Sequence, residues 1–350
     1  MTTAMNPLAW RGLHLMDSGA AGLPGLRRLV DEVLAPRHAN VLVYEIDYNF
    51  RFASHPELAG PDAWSGSQAK ELADACAAAK IRLIPMINCL GHQSWKEPPG
   101  ALLKAHPEFE EPPGGTAPQA KLGAKEFYCR SWCPRHPQVN SFVGDLVDEL
   151  LDAFRGDAFH AGMDEVYVIA SEACPRCRGA DPAVLYAEAV NALHGRIAAR
   201  GASMLMWGDR LLDGKATGYG DWEGATNGTD RAIDLIPKDI VVCDWHYEPL
   251  QAYPSLEILP GKGFRTWPTV WRNLEGARKF MAAASGRGDP KVLGVLTTVW
   301  FPAARLLGAL FGGDDTDHGV SPSGENPAAA ASAAARTMQT ALEEAWTPPA

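Results

Sequence analysis

The sequence predicts a single (β/α)8 barrel, a TIM barrel spanning residues 1–350, with long βα loops on its C-terminal face. Three observations carry that expectation. Eight short apolar runs recur along the chain, a helical pattern follows each of them, and the two longest Pro- and Gly-rich stretches, 89–133 and 301–326, read as loops that come directly after a strand. The runs are GLHLMD (12–17), NVLVYEID (40–47), IRLIPMIN (81–88), AFHAGMD (158–164), ASMLMWGD (202–209), DIVVCDW (239–245), GFRTWP (263–268) and VLGVLTTVW (292–300). The amphipathic or Ala-rich stretches after them are 23–36, 64–79, 135–155, 182–200, 229–236, 251–258, 273–285 and 327–345. In 182–200, Leu185, Ala189, Leu193 and Ile197 form one apolar stripe. Pro182 lies at its start and Gly201 closes it. Strands alternating with helices in this way build a parallel sheet covered by helices, and the length suits a closed barrel. An open doubly wound sheet is the competing fold, but no GxGxxG follows the first strand.

Composition narrows the function. The chain is 46% hydrophobic and 21% charged, as expected of a globular domain, with a net charge of −10. An acidic surface repels phosphate backbones, so nucleic acid is not an expected partner. No apolar run approaches the roughly 18 residues of a membrane span. The opening MTTAMNPLAWRGLHLMD lacks the basic, apolar and small-residue succession of a secretory leader, so the expected location is cytoplasmic.

In a barrel the chemistry sits where strands end and βα loops begin. The first strand offers Arg11, His14 and Asp17; the second Glu45, Asp47 and Asn49; the third Asn88 and His92. The fourth offers His160, Asp164, Glu165 and Tyr167, the fifth Trp207 and Asp209, and the sixth Asp244, Trp245 and His246. The seventh gives Trp267 and Trp271, and the eighth Trp300. Tryptophan faces stack on the apolar faces of pyranose rings. Acidic groups within a ring of Trp therefore suit a carbohydrate substrate. Core packing is the plainer reading for any one of these Trp residues.

The adjacent Asp164 and Glu165 constrain mechanism. Two carboxyl groups that flank a glycosidic bond stand roughly 5–10 Å apart on opposite sides of it. Sequence neighbours do not easily do this, but they can cooperate if the substrate carries its own nucleophile. A 2-acetamido oxygen then attacks C1, Asp164 orients the amide, and Glu165 protonates the leaving oxygen.

HAGMDEV resembles the H-x-G-G-D-E signature of glycoside hydrolase family 20, the β-N-acetylhexosaminidases. WRGLHLMD resembles the family's first-strand R-G-x-x-L-D, which implies that Arg11 binds sugar hydroxyls. IPMINCLGHQSW resembles its I-P-E-I-x-x-P-G-H-S segment, placing His92 behind the catalytic Glu. IDYNFRF is similar to its second-strand acidic segment, with Asp47 the closest match. The resemblance implies catalytic roles for Asp164, Glu165, His92 and Asp47 in a retaining, substrate-assisted reaction on a terminal N-acetylhexosamine, with no catalytic cofactor. The expected substrate-binding set is Arg11, His160, Trp207, Trp245, Trp267, Trp300 and Tyr247. Met163 replaces the second Gly of the signature and Met86 the Glu of P-E-I. The strand-eight W-x-E reads WFP, which keeps Trp300 and omits the Glu. Tyr247 and Tyr167 are the candidates for the Tyr that binds the acetamido group.

Of the seven cysteines, Cys76, Cys89 and Cys243 lie in apolar segments. Cys129 and Cys133 form C-x3-C, and Cys174 and Cys177 form C-x2-C, in two loops that a barrel makes neighbours. Four such thiolates fit a closed structural zinc site. Reduced thiols or a disulfide are the other readings. Other functions also fit parts of the chain. The altered strand eight would suit a catalytically inactive carbohydrate-binding barrel or a glycosidase of different sugar specificity. A metal-dependent hydrolase or isomerase would draw on His14, His92, His160, Asp209 and His246, but strand one carries no H-x-H.

Overall fold

The computed structural model describes residues 9–94, 98–112, 129–312 and 326–346. Residues 1–8 of the stretch read for a leader, and parts of the long stretches 89–133 and 301–326, lie outside the described residues. Eight barrel strands are numbered in chain order: β1 (Trp10–Met16), β2 (Val41–Glu45), β3 (Arg82–Cys89), β4 (Ala158–Gly162), β5 (Ser203–Trp207), β6 (Val241–Trp245), β7 (Arg265–Val270) and β8 (Gly294–Thr297). Each pairs in parallel with its neighbours in sequence, and β8 closes on β1 through Trp10 opposite Gly294. The sequence-predicted (β/α)8 architecture is what the chain adopts.

Helices cover the sheet at most of the expected positions, including Gly66–Ala78, Val139–Ala153, Pro182–Ala199, Leu274–Gly286 and Pro327–Trp346. Ser65 caps the first of these by accepting the Gln68 N–H while the Gln68 side chain returns to the Ser65 N–H. The stretch expected over 23–36 is α-helical only at Leu23–Leu29 and then widens into a π turn at Val30–Leu34. One expectation fails at 301–326, which holds a helix, Ala303–Phe311, rather than loop alone. Its segment AARLLGALF contains no Pro, and Ala303 and Leu306 are buried. The Pro and Gly of its flanks masked that local pattern.

Side-chain alternation divides the molecule into two cores. On β1, Leu13 and Leu15 join the outer layer between sheet and helices. Gly12 and His14 face inward: a Cβ at Gly12 would stand 2.4 Å from the Trp267 ring, and the His14 ring lies 4.7 Å from Trp300. The inner layer is apolar toward the base, with Val43, Ile84, Met86, Leu205, Cys243 and Trp267.

Toward the mouth the inner layer turns polar. His14 Nε2 lies 2.7 Å from Glu45 Oε2, and Asn88 Nδ2 donates to Glu45 Oε1 at 3.0 Å. The Asn88 backbone N–H donates to Asp47 Oδ1 at 2.8 Å. Burial pushes Glu45 up to about 8, reinforced by the Asp164 charge, and pulls His14 down to about 3. At neutral pH the proton therefore resides on Glu45, which donates it to a neutral imidazole.

Two measurements check these points. Gly162 has φ +66°, and a Cβ there would meet the Asn88 Oδ1 at 2.2 Å and the Asn88 Cα at 2.7 Å. Gly162→Ala should lower stability by roughly 1–3 kcal/mol in chemical denaturation, from overpacking and backbone strain. An unchanged midpoint would contradict the tight crossing of β3 and β4. The second measurement concerns Glu45. Unfolded, this group loses its proton near the ordinary glutamate value, whereas the folded protein holds it to about 8. Stability is thus lost as pH rises through that window. Glu45→Gln preserves both hydrogen bonds and removes the ionisation. Its stability relative to the parent should be higher at pH 8 than at pH 5, and an equal offset at the two pH values would refute the protonated Glu45.

Candidate active site

The C-terminal mouth of the barrel holds a cavity of about 410 Å3. Trp222, Trp245, Trp271 and Trp300 supply aromatic walls, with Tyr247 among them. Asp164, Glu165, Glu223 and Glu248 bring carboxylates, and His92 and Arg272 bring nitrogen donors.

The site begins where β4 ends. Beyond Gly162 the chain passes through Met163 at φ 73° and Glu165 at φ 49°. Left-handed conformations are unfavourable for side-chain-bearing residues and persist where surroundings enforce them. Here two contacts do so. The Tyr186 hydroxyl donates to the Met163 carbonyl at 2.7 Å, and the Glu165 N–H donates to Asp209 Oδ2 at 2.9 Å. Asp209, at the end of β5, is itself held by the Arg210 Nε at 2.7 Å and the Trp245 indole N–H at 3.3 Å. The turn thus aims Asp164 and Glu165 into one cavity.

His92, from the loop after β3, ties the two together. Its Nε2 lies 2.9 Å from Glu165 Oε2 and 3.2 Å from Asp164 Oδ2. Its Nδ1 lies 3.2 Å from the Cys129 sulfur. Burial alone would lower the imidazole pKa, but Cys129 and the Asp164 carboxylate reverse this and hold it well above its ordinary range. Burial raises Cys129 to about 11, while the neighbouring His92 works in the opposite sense. His92 is therefore an imidazolium spanning both acids.

Tyr247 completes the aromatic wall. Its hydroxyl oxygen accepts the Trp300 indole N–H at 2.6 Å, and its ring stacks on Trp245 at 5.0 Å. Of the two tyrosines considered from sequence, Tyr247 lines the cavity. Tyr167 instead lies beneath the Arg210 guanidinium, 4.8 Å from its ring centre.

The structure brings together Asp164, Glu165, His92, Trp245, Tyr247 and Trp300, and it relocates the other expected residues. Arg11 lies at the base of the barrel, where its Nε donates to the His38 carbonyl at 2.7 Å and its guanidinium sits over Trp346. The physical reason is parity: Arg11 precedes an inward Gly12 on the strand, and it sits at the N-terminal end, away from the mouth. Trp267 is wholly buried in the inner core, edge-on to Trp10 at 5.0 Å. Trp271, further along the same segment, reaches the cavity in its place. Trp207 and His160 pack against each other at 4.4 Å beneath the cavity rather than lining it. Asp47 also lies below, on the Asn88 backbone. The histidines proposed as metal ligands are dispersed; His246, for example, contacts Glu223, Asp244 and Ser255.

The four grouped cysteines also separate. Cys129 pairs with His92, whereas Cys133, Cys174 and Cys177 form a cluster of three. The C-x3-C spacing spans the end of a two-residue strand, Ser131–Trp132, so its two sulfurs do not converge. Sequence reasoning missed Trp222, Glu223, Glu248 and Arg272. They stand in loops beyond the strand ends, where strand periodicity no longer reports which way a side chain points.

Comparisons with known proteins bear on the family and the fold. Residues 43–300 match the Glycosyl hydrolase family 20 catalytic domain. The chain is 34% identical over 119 residues to a beta-hexosaminidase of Akkermansia muciniphila, a stretch that is 33% of this chain and 22% of that relative. The β-N-acetylhexosaminidase of Bacteroides fragilis superposes with a TM-score of 0.61 at 17% identity, covering 95% of this chain and 66% of that one. Streptomyces plicatus N-acetyl-β-hexosaminidase in complex with Thio-NAglucal gives a TM-score of 0.63 at 16% identity, covering 98% of this chain and 64% of the other. These structural likenesses bear on the barrel fold. Because the family match extends over well more than half of the sequence, the chain belongs to glycosyl hydrolase family 20.

Proposed function

We propose that this protein removes a terminal N-acetylhexosamine from a glycoside, with retention at C1 and with the substrate's own acetamido group as nucleophile. The observation that carries the proposal is the convergence of Asp164 and Glu165 on one nitrogen of His92. Carboxylates that share an imidazole N–H lie on one side of the cavity. They do not face each other across a sugar ring, as a nucleophile and acid of the ordinary kind must.

In the first step the acetamido oxygen forms a bond to C1 while the bond from C1 to the leaving oxygen breaks. Glu165 gives its proton to that oxygen. Asp164 accepts the amide N–H and balances the cationic oxazolinium as it develops. Tyr247 faces the acetamido oxygen, and the aromatic walls exclude competing water. In the second step Glu165 takes a proton from water as it attacks C1, and the ring opens. His92 holds both carboxyl groups in place. Glu223, Glu248 and Arg272 take the part of hydroxyl-binding groups that the strand-eight WFP segment does not supply.

Two substitutions test the roles. Glu165→Gln should suppress hydrolysis of glycosides with poor leaving groups far more than hydrolysis of activated aryl N-acetylhexosaminides, since only the former need the proton. Equal losses on both would remove Glu165 from the acid role. Asp164→Asn should lower kcat strongly, by about 10²-fold or more, with a smaller change in KM, because the charge-assisted hydrogen bond strengthens in the transition state. A thiazoline analogue of N-acetylhexosamine should inhibit the parent competitively. A trapped sugar ester on the protein, or good turnover of glycosides bearing a plain 2-hydroxyl, would overturn the substrate-assisted mechanism. Sugar binding without any hydrolysis would favour an inactive carbohydrate-binding barrel.

A further inference from the structure

We propose that Cys133, Cys174 and Cys177, closed by the Glu111 carboxylate, form a structural zinc site that pins the third βα loop to the loop carrying the catalytic pair. The three sulfurs are buried and close: Cys133 lies 3.3 Å from Cys177 and 3.6 Å from Cys174. Sulfurs bound at about 2.3 Å around a tetrahedral ion stand roughly 3.8 Å apart, so a small expansion separates this cluster from a metal-bound one. Three thiols in mutual contact also cannot be satisfied as disulfides, since any pair leaves one over.

The surroundings are those of metal-bound sulfur. The Cys133 sulfur accepts the backbone N–H of Arg135, and the Cys174 sulfur accepts those of Arg176 and Cys177. Such N–H···S bonds at a C-x2-C turn hold sulfurs in orientation around an ion. Glu111 provides an independent pointer. One of its oxygens accepts the Ser171 N–H at 3.0 Å, while Oε2 is buried without a hydrogen-bond partner. Its carboxylate is near enough to the Cys133 and Cys177 sulfurs to interact with both electrostatically. A buried carboxylate oxygen beside two of the sulfurs is poorly placed without a cation and can turn toward one as a fourth ligand. Arg135 and Arg176 lie near the same sulfurs and offset the excess negative charge of three thiolates and a carboxylate.

The location gives the site a purpose. Glu111 ends one of the paired two-residue strands Glu110–Glu111 and Ser131–Trp132 and Cys133 follows the other, in the loop that also places Cys129 against His92. Cys174 and Cys177 follow Asp164 and Glu165 on the loop after β4. A metal joining them fixes the two loops that assemble the Asp164–His92–Glu165 contact. No coordination position remains for substrate, so the ion would not take part in the reaction.

The test is metal content and cobalt spectroscopy on the full chain. Protein purified under reducing conditions should carry about one zinc per chain, released by a mercurial reagent. Chelator-stripped protein titrated with Co²⁺ should develop a thiolate-to-cobalt charge-transfer band that saturates at about one equivalent. Cys174→Ser and Cys177→Ser should each lose most of the bound zinc, and Glu111→Gln should weaken Co²⁺ binding at least tenfold. Cys129→Ser should keep the full stoichiometry, since its sulfur belongs to His92. Reduced parent protein that takes up neither zinc nor cobalt would overturn the site without any appeal to variants. Loss of metal in Cys129→Ser, or an unaltered cobalt titration in Glu111→Gln, would overturn the ligand set proposed.

Discussion

A buried imidazolium organises this molecule's active face. Cys129 and the Asp164 carboxylate hold His92 protonated where burial alone would remove its charge, and Asp164 and Glu165 both reach its Nε2. The arrangement works in both directions. The ring offers both carboxyl groups a hydrogen-bond donor, and a buried cation needs an anionic partner just as much. Removing either side of such a set leaves an uncompensated buried charge, at roughly 3–5 kcal/mol. The left-handed conformations at Met163 and Glu165 are held by the Tyr186 and Asp209 contacts, and that at His92 sets its ring between the two acids.

Around that contact, the barrel divides its labour by depth. The base is apolar and close-packed, with Trp267 filling the space that Gly12 leaves open. Above it lies the hydrogen-bonded layer of His14, Glu45, Asn88 and Asp47, in which Glu45 holds its proton at neutral pH. This layer is a neutral floor beneath charged groups. A second ionised carboxylate at Glu45 would compete with Asp164 for the His92 charge. The mouth above is aromatic on its walls and charged at its centre, which suits a ligand with an apolar ring face and a polar edge.

Residue type at strand ends was informative wherever geometry at the strand end is tightly constrained. HAGMDEV placed Asp164 and Glu165, and GHQSW placed His92, because a parallel strand entering a barrel mouth has few ways to turn. Alternation was a weaker guide on β1. The order Arg11, Gly12 sends the arginine outward at the base, although the same letters resemble a sugar-binding motif. Among the tryptophans, Trp245 and Trp300 reach the cavity while Trp207 and Trp267 pack beneath it. Those four residues share a chemistry and differ in height along the barrel axis, which a linear pattern records poorly.

By itself the sequence determined the eightfold βα alternation, the closed barrel it requires and the identity of the acidic pair. These follow from period, polarity and local turn chemistry, all of which act over a few residues. Tertiary structure decided what depends on distance between segments far apart in the chain. It paired Cys129 with His92 and left Cys133 with Cys174 and Cys177, although the spacing had suggested four equivalent thiols. It also brought Trp222, Glu223, Glu248 and Arg272 from long loops to the rim. Loop conformation answers to packing against neighbouring loops, and no local period encodes it.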